Sequence, residues 1–292
     1  MTRATPQLRL AFRPPFASDA LLSFLAARAI PGVETVEGSS YRRSIRTRDG
    51  AAAVMALTPH PTDHHVTLEM SIVEIPELGG IVQAARRAFD LDADPAAVDE
   101  LLVADRKLRP LVRTTPGMRL PGTVDGFELA VRAVLGQQVS VGAARTLAGR
   151  LTHRFGTPLA RPAGEVTHLF PAPGELAEES MNGLGLTTGR VETIRRLAEM
   201  VAVGKLDLTG SADLGDTLAV LREIPGVGAW TAAYVAMRAL RDPDAFPVGD
   251  LGIRRAFEAL DLPSGPASIR ARAERWRPWR AYAAMHLWQR ST

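Results

Sequence analysis

The first chemical feature of this 292-residue sequence is a single carboxylate placed shortly after a glycine-rich turn. The turn is Ile224-Pro225-Gly226-Val227-Gly228. It separates two helical patterns, and its glycines permit backbone conformations and close approaches that a side chain would forbid. Ala229, Thr231, Ala232 and Ala233 keep the start of the second pattern slim, so the N–H groups of its first turn stay open to a neighbour. Such a helix N-terminus favours an anion, and a phosphate diester suits it. The second pattern stops near Arg241-Asp242-Pro243, and an extended Phe246-Pro247-Val248 leads to Gly249-Asp250, which opens another helical run. A carboxylate there can guide water or stabilise a developing positive charge, and it can also cap the helix it begins. Trp230, Tyr234 and Trp288 offer aromatic faces that attract a planar ring more strongly when the ring carries positive charge.

The elements that must position these groups follow from patterning. Residues 1 to about 100 read as α+β. His65 to Ile72 alternates apolar and polar residues, and Leu8 to Phe12, Tyr41 to Arg48 and Ala51 to Leu57 are further strand candidates. Ser18-Asp19 can cap a helix over Ala20 to Ile30, and Pro76 begins another that runs to about Phe89. An antiparallel sheet with two helices on one face is the economical arrangement. His60, Asp63, His64 and His65 do not suit a metal site, because Pro59 and Pro61 oppose the helix that would align them. From Pro95 onward no strand pattern is seen. Helical segments are expected at 96–105, 125–135, 140–155, 173–183, 189–203, 212–223, 229–240, 250–259 and 266–288. A Pro/Gly-rich connector from Pro110 to Val124 carries Arg113 and Arg119. Gly136-Gln137-Gln138-Val139 interrupts two helices, with Ser140 able to cap the second. Gly183-Leu184-Gly185 is a second turn of similar construction, for a phosphate or for packing.

Composition narrows the class. With 46% hydrophobic and 23% charged residues the sequence is that of a soluble globular protein. No apolar run reaches membrane-spanning length and the N-terminus lacks a signal-peptide core, which makes the cytoplasm the expected location. The absence of cysteine excludes disulfides, thiolate nucleophiles, zinc fingers and iron-sulfur clusters. The net charge of +3 is unevenly spread: Leu251 to Thr292 holds eight Arg against three acids, whereas Ala51 to Glu100 holds two Arg against nine acids. A basic C-terminal part suits a face placed on a polyanion.

The turn with Asp250 resembles the helix-hairpin-helix plus Gly/Pro-Asp signature of base-excision DNA glycosylases. Pro116-Gly117-Met118-Arg119-Leu120-Pro121-Gly122, Asp125-Gly126-Phe127-Glu128 and Val131-Arg132-Ala133-Val134-Leu135-Gly136-Gln137 are similar to the corresponding run of the bacterial 3-methyladenine DNA glycosylase II (AlkA-type) family. So are Glu274-Arg275-Trp276-Arg277-Pro278-Trp279-Arg280-Ala281-Tyr282 and His286-Leu287-Trp288, while Phe24 to Ala29 and Val33 to Val36 resemble that family's N-terminal domain. The likeness covers nearly the whole chain in order. It implies an α+β N-terminal domain at 1–98, like one repeat of the TATA-binding protein, ahead of an all-α core in two subdomains. One subdomain spans 126–242, with the helix-hairpin-helix at about 213–240; the other joins 99–125 to 243–292 and carries Asp250.

The resemblance implies a monofunctional glycosylase acting on alkylated purines in double-stranded DNA, as a monomer, with no cofactor required. A base inside a duplex must be extruded into a pocket to be reached, here formed by Trp230, Tyr234, Trp288 and Leu251, with Asp250 stabilising the oxocarbenium-like sugar. The DNA would meet Gln137, Gln138, Pro225, Gly226, Val227, Gly228, Ala229, Thr231 and Arg255, the last able to hold a phosphate or pair locally. A monovalent cation, Na+ or K+, would sit on the backbone carbonyls of Arg222, Ile224 and Val227. Members that also nick the strand use a lysine where this sequence has Trp230, and the chain's two lysines are Lys107 and Lys205. The chain lacks the cysteines of the iron-sulfur branch. Trp276 and Trp279 read as core, and the Arg cluster around them as solvated surface combined with phosphate contact. Three positions depart from the family pattern: Gln138 replaces an apolar wedge, and Gly249 and Leu251 replace an acid and a Tyr beside the carboxylate. A glycosylase for a deaminated or oxidised base, and a non-catalytic DNA-binding module, remain as alternatives.

Overall fold

Residues 6–71 and 75–291 are described by the computed structural model. Five strands, β1 (Gln7–Ala11), β2 (Glu34–Glu37), β3 (Ser40–Arg46), β4 (Ala52–His60) and β5 (His65–Met70), pair antiparallel in the order β1-β5-β4-β3-β2. The alternation in β5 works as expected, since Val66, Leu68 and Met70 are buried while His65, Thr67 and Glu69 are half-exposed. Ile72, the expected end of that strand, lies outside the described residues. Helices α1 (Ser18–Arg28) and α2 (Ile75–Ala88) lay Leu21, Leu22, Leu25, Ile81 and Ala85 into the same buried cluster as the sheet residues Met55, Leu57 and Leu68. Two details differ from expectation. Strand β2 is additional, and Ser18 and Asp19 lie inside α1, whose N-cap is Ala17 without a side-chain hydrogen bond.

The other face of the sheet is covered by a hairpin that the sequence pattern did not suggest, β6 (Pro158–Ala163) with β7 (Val166–His168). Leu159, Val166 and Leu169 bury Val54, the N–H groups of Thr167 and His168 both donate to the Gly32 carbonyl at 2.8 Å, and Ser44 Oγ donates to the His168 carbonyl at 2.6 Å. Pro158 and Pro162 argue against a central strand, but a short irregular hairpin tolerates them.

The remainder is helical: α3 (Pro95–Val103), α4 (Arg109–Thr114), α5 (Gly126–Leu135), α6 (Val141–Phe155), α7 (Pro173–Glu178), α8 (Thr188–Ala202), α9 (Leu214–Arg222), α10 (Ala229–Arg238), α11 (Leu251–Ala259), α12 (Pro266–Ala273) and α13 (Arg280–Ser291). Asp125 caps α5 by accepting from Phe127 N–H at 2.8 Å, and Ser140 caps α6 by accepting from Ala143 N–H at 3.2 Å. The start of the expected connector is helical as α4, because Pro110 falls in its first turn, where a missing N–H costs nothing. Arg119, on the same connector, is fully buried and donates to the carbonyls of Asp90 and Pro15. The single helix expected at 266–288 is broken into α12, a 3-10 turn at Glu274–Trp276, and α13. Pro278 cannot donate within a helix, so α13 begins only at Arg280.

A buried ionic cluster joins the sheet to α5. Arg43 donates to Glu128 at 2.6 Å, and Arg132 donates to Glu34 at 2.6 Å and to Glu128 at 3.0 Å. Tyr41 donates to the other Glu34 oxygen. Burial pushes the Glu34 carboxyl up, but Arg132 and Arg43 outweigh it and hold it below the usual carboxylate range. The second Arg132 nitrogen donates to the Arg28 carbonyl at 2.6 Å, satisfying the exposed end of α1. Removing one member of such a cluster leaves its partners charged and unpaired. Glu128→Ala is expected to lower unfolding stability in urea by about 3–5 kcal/mol, whereas Glu199→Ala, from the exposed pair with Arg196, costs less than about 1 kcal/mol. Equal effects would contradict the role assigned to the cluster.

Candidate active site

The hairpin turn joins α9 to α10. Gly226 has φ +89, and a Cβ there would stand 2.1 Å from Thr193 Oγ1 on α8. Thr193 Oγ1 lies 2.8 Å from the Gly189 and Pro225 carbonyls, so the turn is pinned to α8 and position 226 admits only glycine. Gly228, the N-cap of α10, has open space beside it and no side chain caps the helix, which leaves N–H groups of the first turn without an intrahelical acceptor. Pro225, Gly226, Gly228 and Ala229 are exposed, as a phosphate contact requires. Val227 and Thr231 are not. Val227 packs into the helical core, and the buried Thr231 hydroxyl accepts from Gln137 Nε2 at 2.9 Å. Gln137 also donates to the Gly226 carbonyl at 2.9 Å, while Arg190 donates to the Gln137 carbonyl. The side chains of Gln137 and Thr231 tie the 136–139 turn to the hairpin, and that of Val227 anchors the hairpin in the helical core. Gln138 alone projects from that turn, exposed and with φ +54, a left-handed conformation uncommon for a residue with a side chain.

Asp250 is the N-cap of α11 and accepts from Ile253 N–H at 2.9 Å. Its two oxygens also receive both indoles: Trp288 Nε1 donates to Oδ1 at 2.8 Å and Trp230 Nε1 donates to Oδ2 at 2.8 Å. Three N–H donors from three helices fix the direction of one carboxylate. The rings continue into a stack, with Trp230–Tyr234 centroids at 5.3 Å, Tyr234–Trp288 at 6.1 Å and Phe24–Trp288 at 6.2 Å.

Phe24, Arg28 and Arg238 were not singled out as site residues. Phe24 and Arg28 share a face of α1 at i, i+4 spacing, a visible signal, but nothing in the sequence shows that this face meets α10 and α13. The Arg28 guanidinium lies 3.8 Å from the Phe24 ring centre and that of Arg238 lies 4.9 Å from it. Arg238 donates to the carbonyls of Pro121 at 2.7 Å and Gly122 at 3.1 Å and to Tyr234 OH at 2.9 Å, so the connector closes the back of the pocket. Burial pushes the Tyr234 phenol up, yet Arg238 and Arg28 more than offset it and hold the phenol below its ordinary value. Leu251 stands exposed at the start of α11.

Four of the eight arginines of the basic C-terminal stretch are ion-paired, two of them, Arg254 and Arg277, while still more than half exposed. Arg254 pairs with Glu258, Arg272 with Asp105, and Arg277 and Arg280 with Asp244 and Glu274. Arg255, Arg270 and Arg275 are exposed and show no such partner among the described residues. Trp276 is core, donating to Asp105 at 3.0 Å. Gly183-Leu184-Gly185 is a packing turn, with the Asn182 and Leu184 carbonyls accepting from Arg154 and Arg150. His60 and His65 stack across β4 and β5 at 4.6 Å, and among the described residues no group of three acidic or histidine side chains is placed to hold a metal ion.

Residues 131–281 match the HhH-GPD superfamily base excision DNA repair proteins, and residues 7–125 match the AlkA N-terminal domain. The chain belongs to the HhH-GPD superfamily. It is 36% identical to DNA-3-methyladenine glycosylase 2 of Escherichia coli K12, covering 96% of this chain and 95% of that protein. It is 44% identical to the probable bifunctional transcriptional activator/DNA repair enzyme AlkA of Mycobacterium tuberculosis H37Rv, covering 97% of this chain but 57% of that protein. The chain therefore spans little more than half the length of the mycobacterial relatives. In fold it is similar to the 3-methyladenine DNA-glycosylase from Archaeoglobus fulgidus, with a TM-score of 0.82, 23% identity and 98% of each chain covered. The family carries the fold that was expected: an N-terminal sheet with helices, then a helical core holding the hairpin.

His286, two residues before Trp288, is fully buried, and among the described residues neither ring nitrogen has a hydrogen-bond partner. Burial pushes its imidazole down from 6.5 to about 4. The unfolded chain therefore binds the extra proton first. The contribution of neutral His286 is complete above about pH 6.5 and is lost as pH falls toward 4, by about 3 kcal/mol in all. His286→Leu removes that linkage. Unfolding measured from about pH 7 down to about pH 4.5 is expected to show wild type losing stability relative to the variant; parallel curves would contradict a buried neutral imidazole.

Proposed function

We propose that this chain is a monofunctional DNA glycosylase that hydrolyses the N-glycosidic bond of alkylated purines, 3-methyladenine and its relatives, in double-stranded DNA. The observation that carries this reading is the Asp250 carboxylate held by Trp230, Trp288 and Ile253 N–H at the edge of an aromatic stack. The hairpin offers open N–H groups to a backbone phosphate, Gln138 enters the duplex in place of the extruded nucleotide, and Arg255, free on the outer turn of α11, reaches a flanking phosphate.

Chemically, a purine alkylated at N3 or N7 is a cation and departs neutral, so no general acid is required. The faces of Trp230, Tyr234 and Trp288 attract the charged ring. Oδ1 of Asp250 accepts two hydrogen bonds and Oδ2 one, and a carboxylate has about four acceptor positions. Oδ2 keeps an open position, which faces the sugar, stabilises its oxocarbenium character and orients the attacking water. Leu251 borders the opening and limits what enters.

Strand cleavage would need an amine at C1′ of the sugar. Position 230 is Trp, and Lys107 sits at the far end of α11, bound to the Leu260 carbonyl at 2.6 Å. That is roughly 15 Å from Asp250 at about 1.5 Å per residue. The scheme needs residues of a single chain only and is proposed to operate as a monomer, and the site of action would be cytoplasmic DNA. A monovalent cation, Na+ or K+, would be held by the Arg222, Ile224 and Val227 carbonyls. Ile224 O already accepts Val227 N–H at 3.0 Å and keeps a second lone pair, while among the described residues no backbone hydrogen bond reaches Arg222 O or Val227 O. Such an ion would add positive charge beside the phosphate.

Chromatography of bases released from methylated duplex DNA tests the reading. Wild type is expected to release 3-methyladenine and leave the strand intact, and Asp250→Asn to be slower by roughly a hundredfold or more. Full release by the variant would remove Asp250 from the chemistry. Strands arriving already cut would overturn the monofunctional assignment, and release of deaminated or oxidised bases without methylated purines would shift the substrate class.

A further inference from the structure

Two neighbouring glutamines on the 136–139 turn are used very differently. The Gln137 amide donates to the Gly226 carbonyl and to the Thr231 hydroxyl, each at 2.9 Å, and the Gln137 carbonyl accepts from Arg190. Gln138 is exposed, and among the described residues its amide has no hydrogen-bond partner. Its φ of +54 is a conformation that glycine adopts without steric cost. Neither the backbone nor the interior therefore gives a reason for a long polar side chain at this position.

The contacts around the turn fix where that amide starts from. Gln137 holds Thr231, and the residue before Thr231, Trp230, donates through its indole to Asp250 at 2.8 Å. Gln137, Thr231, Trp230 and Asp250 thus form one connected line from the turn to the pocket. Gln137 also ties the turn to the hairpin, whose open N–H groups suit a phosphate. Gln138 is therefore braced against both the pocket and the hairpin, and its side chain is the part left to meet the duplex.

We propose that the Gln138 amide hydrogen-bonds the Watson–Crick edge of the base left opposite the extruded nucleotide, so that this residue senses whether an opposite base is present. The inference rests on the reading that the chain is a glycosylase and that Gln138 enters the duplex. An amide moved from water into a base stack needs hydrogen-bond partners there or bears a desolvation penalty. The orphaned base has lost its own partner and presents them. Each natural base carries a donor beside an acceptor on that edge: N6–H and N1 in adenine, N4–H and N3 in cytosine, N1–H and O6 in guanine, N3–H and O4 in thymine. A primary amide offers the complementary pair, and a half-turn about its last bond exchanges their order. Gln138 therefore accepts thymine opposite an alkylated adenine and cytosine opposite an alkylated guanine, and it distinguishes a base from a gap. A lesion that faces an abasic site, where excision would leave neither strand with coding information, is acted on less readily.

The test is a cycle between the residue and the opposite base. Single-turnover release of 7-methylguanine is measured for the full chain and for Gln138→Leu, on a duplex with cytosine opposite the lesion and on one with a stable abasic analogue there. Extrusion opposite a gap is easier for both proteins alike and cancels when their cytosine-to-gap rate ratios are compared. The ratio for wild type is expected to exceed that for Gln138→Leu by about tenfold, the effect of one or two net hydrogen bonds. With thymine in place of cytosine the same excess is expected. Equal ratios for the two proteins overturn the proposal, and an excess that vanishes with thymine overturns the acceptance of any base. Failure of the glycosylase reading registers separately, as no release of 7-methylguanine by either protein from either duplex.

Discussion

Four buried charges decide how the parts of this chain sit together. Glu34 and Arg43 on the sheet meet Glu128 and Arg132 on α5, away from water and completed by Tyr41. A buried ion pair is weak evidence for net stability, because desolvation offsets much of its attraction. Its effect here is geometric. Charges in that environment have few acceptable arrangements, so the sheet and α5 can dock in only one register. Arg132 extends the constraint by donating to the Arg28 carbonyl, which locates the end of α1. Phe24 and Arg28 are thereby carried from the N-terminal domain to the wall of a pocket formed otherwise by α10 and α13.

The pocket depends on the same logic of directed donors. Asp250 could have been an ordinary helix cap, and it is one. What distinguishes it is the pair of indole N–H groups that approach its two oxygens from α10 and α13. Their rings face the space where a base would stack, so aromatic surface and carboxylate direction come from the same two side chains. For the cationic base proposed as substrate, the two arginines behind Phe24 are unfavourable by charge. Arg238 is held away by the Pro121 and Gly122 carbonyls and the Tyr234 hydroxyl, and Arg28 by the face of Phe24.

Local chemistry was legible in the sequence wherever one residue type answers one requirement. Gly226 at a positive φ, Ser140 and Asp250 as caps, and the period-two pattern of β5 all act as their types suggest. Long-range contacts were not legible. Phe24 looks like any core residue of an amphipathic helix, and only the docking of α1 turns it toward Trp288. Thr231 and Gln137 lie where a phosphate contact would be expected, but each is the other's partner across 94 positions of sequence. The hairpin β6–β7 is irregular and carries two prolines, so its reason for being a strand pair lies in the sheet face it covers. In the Arg-rich C-terminal stretch, nothing in the sequence showed that Asp105, Asp244 and Glu274 hold Arg272, Arg277 and Arg280.

The central claim is that the direction of the Asp250 carboxylate, set by indole donors, is what makes the site competent. The most direct measurement is the single-turnover rate of base release by Trp288→Phe, which keeps an aromatic face and removes one N–H. The account predicts a rate lower by roughly tenfold to a hundredfold, with affinity for a lesion-bearing duplex retained. A rate equal to that of wild type would contradict it.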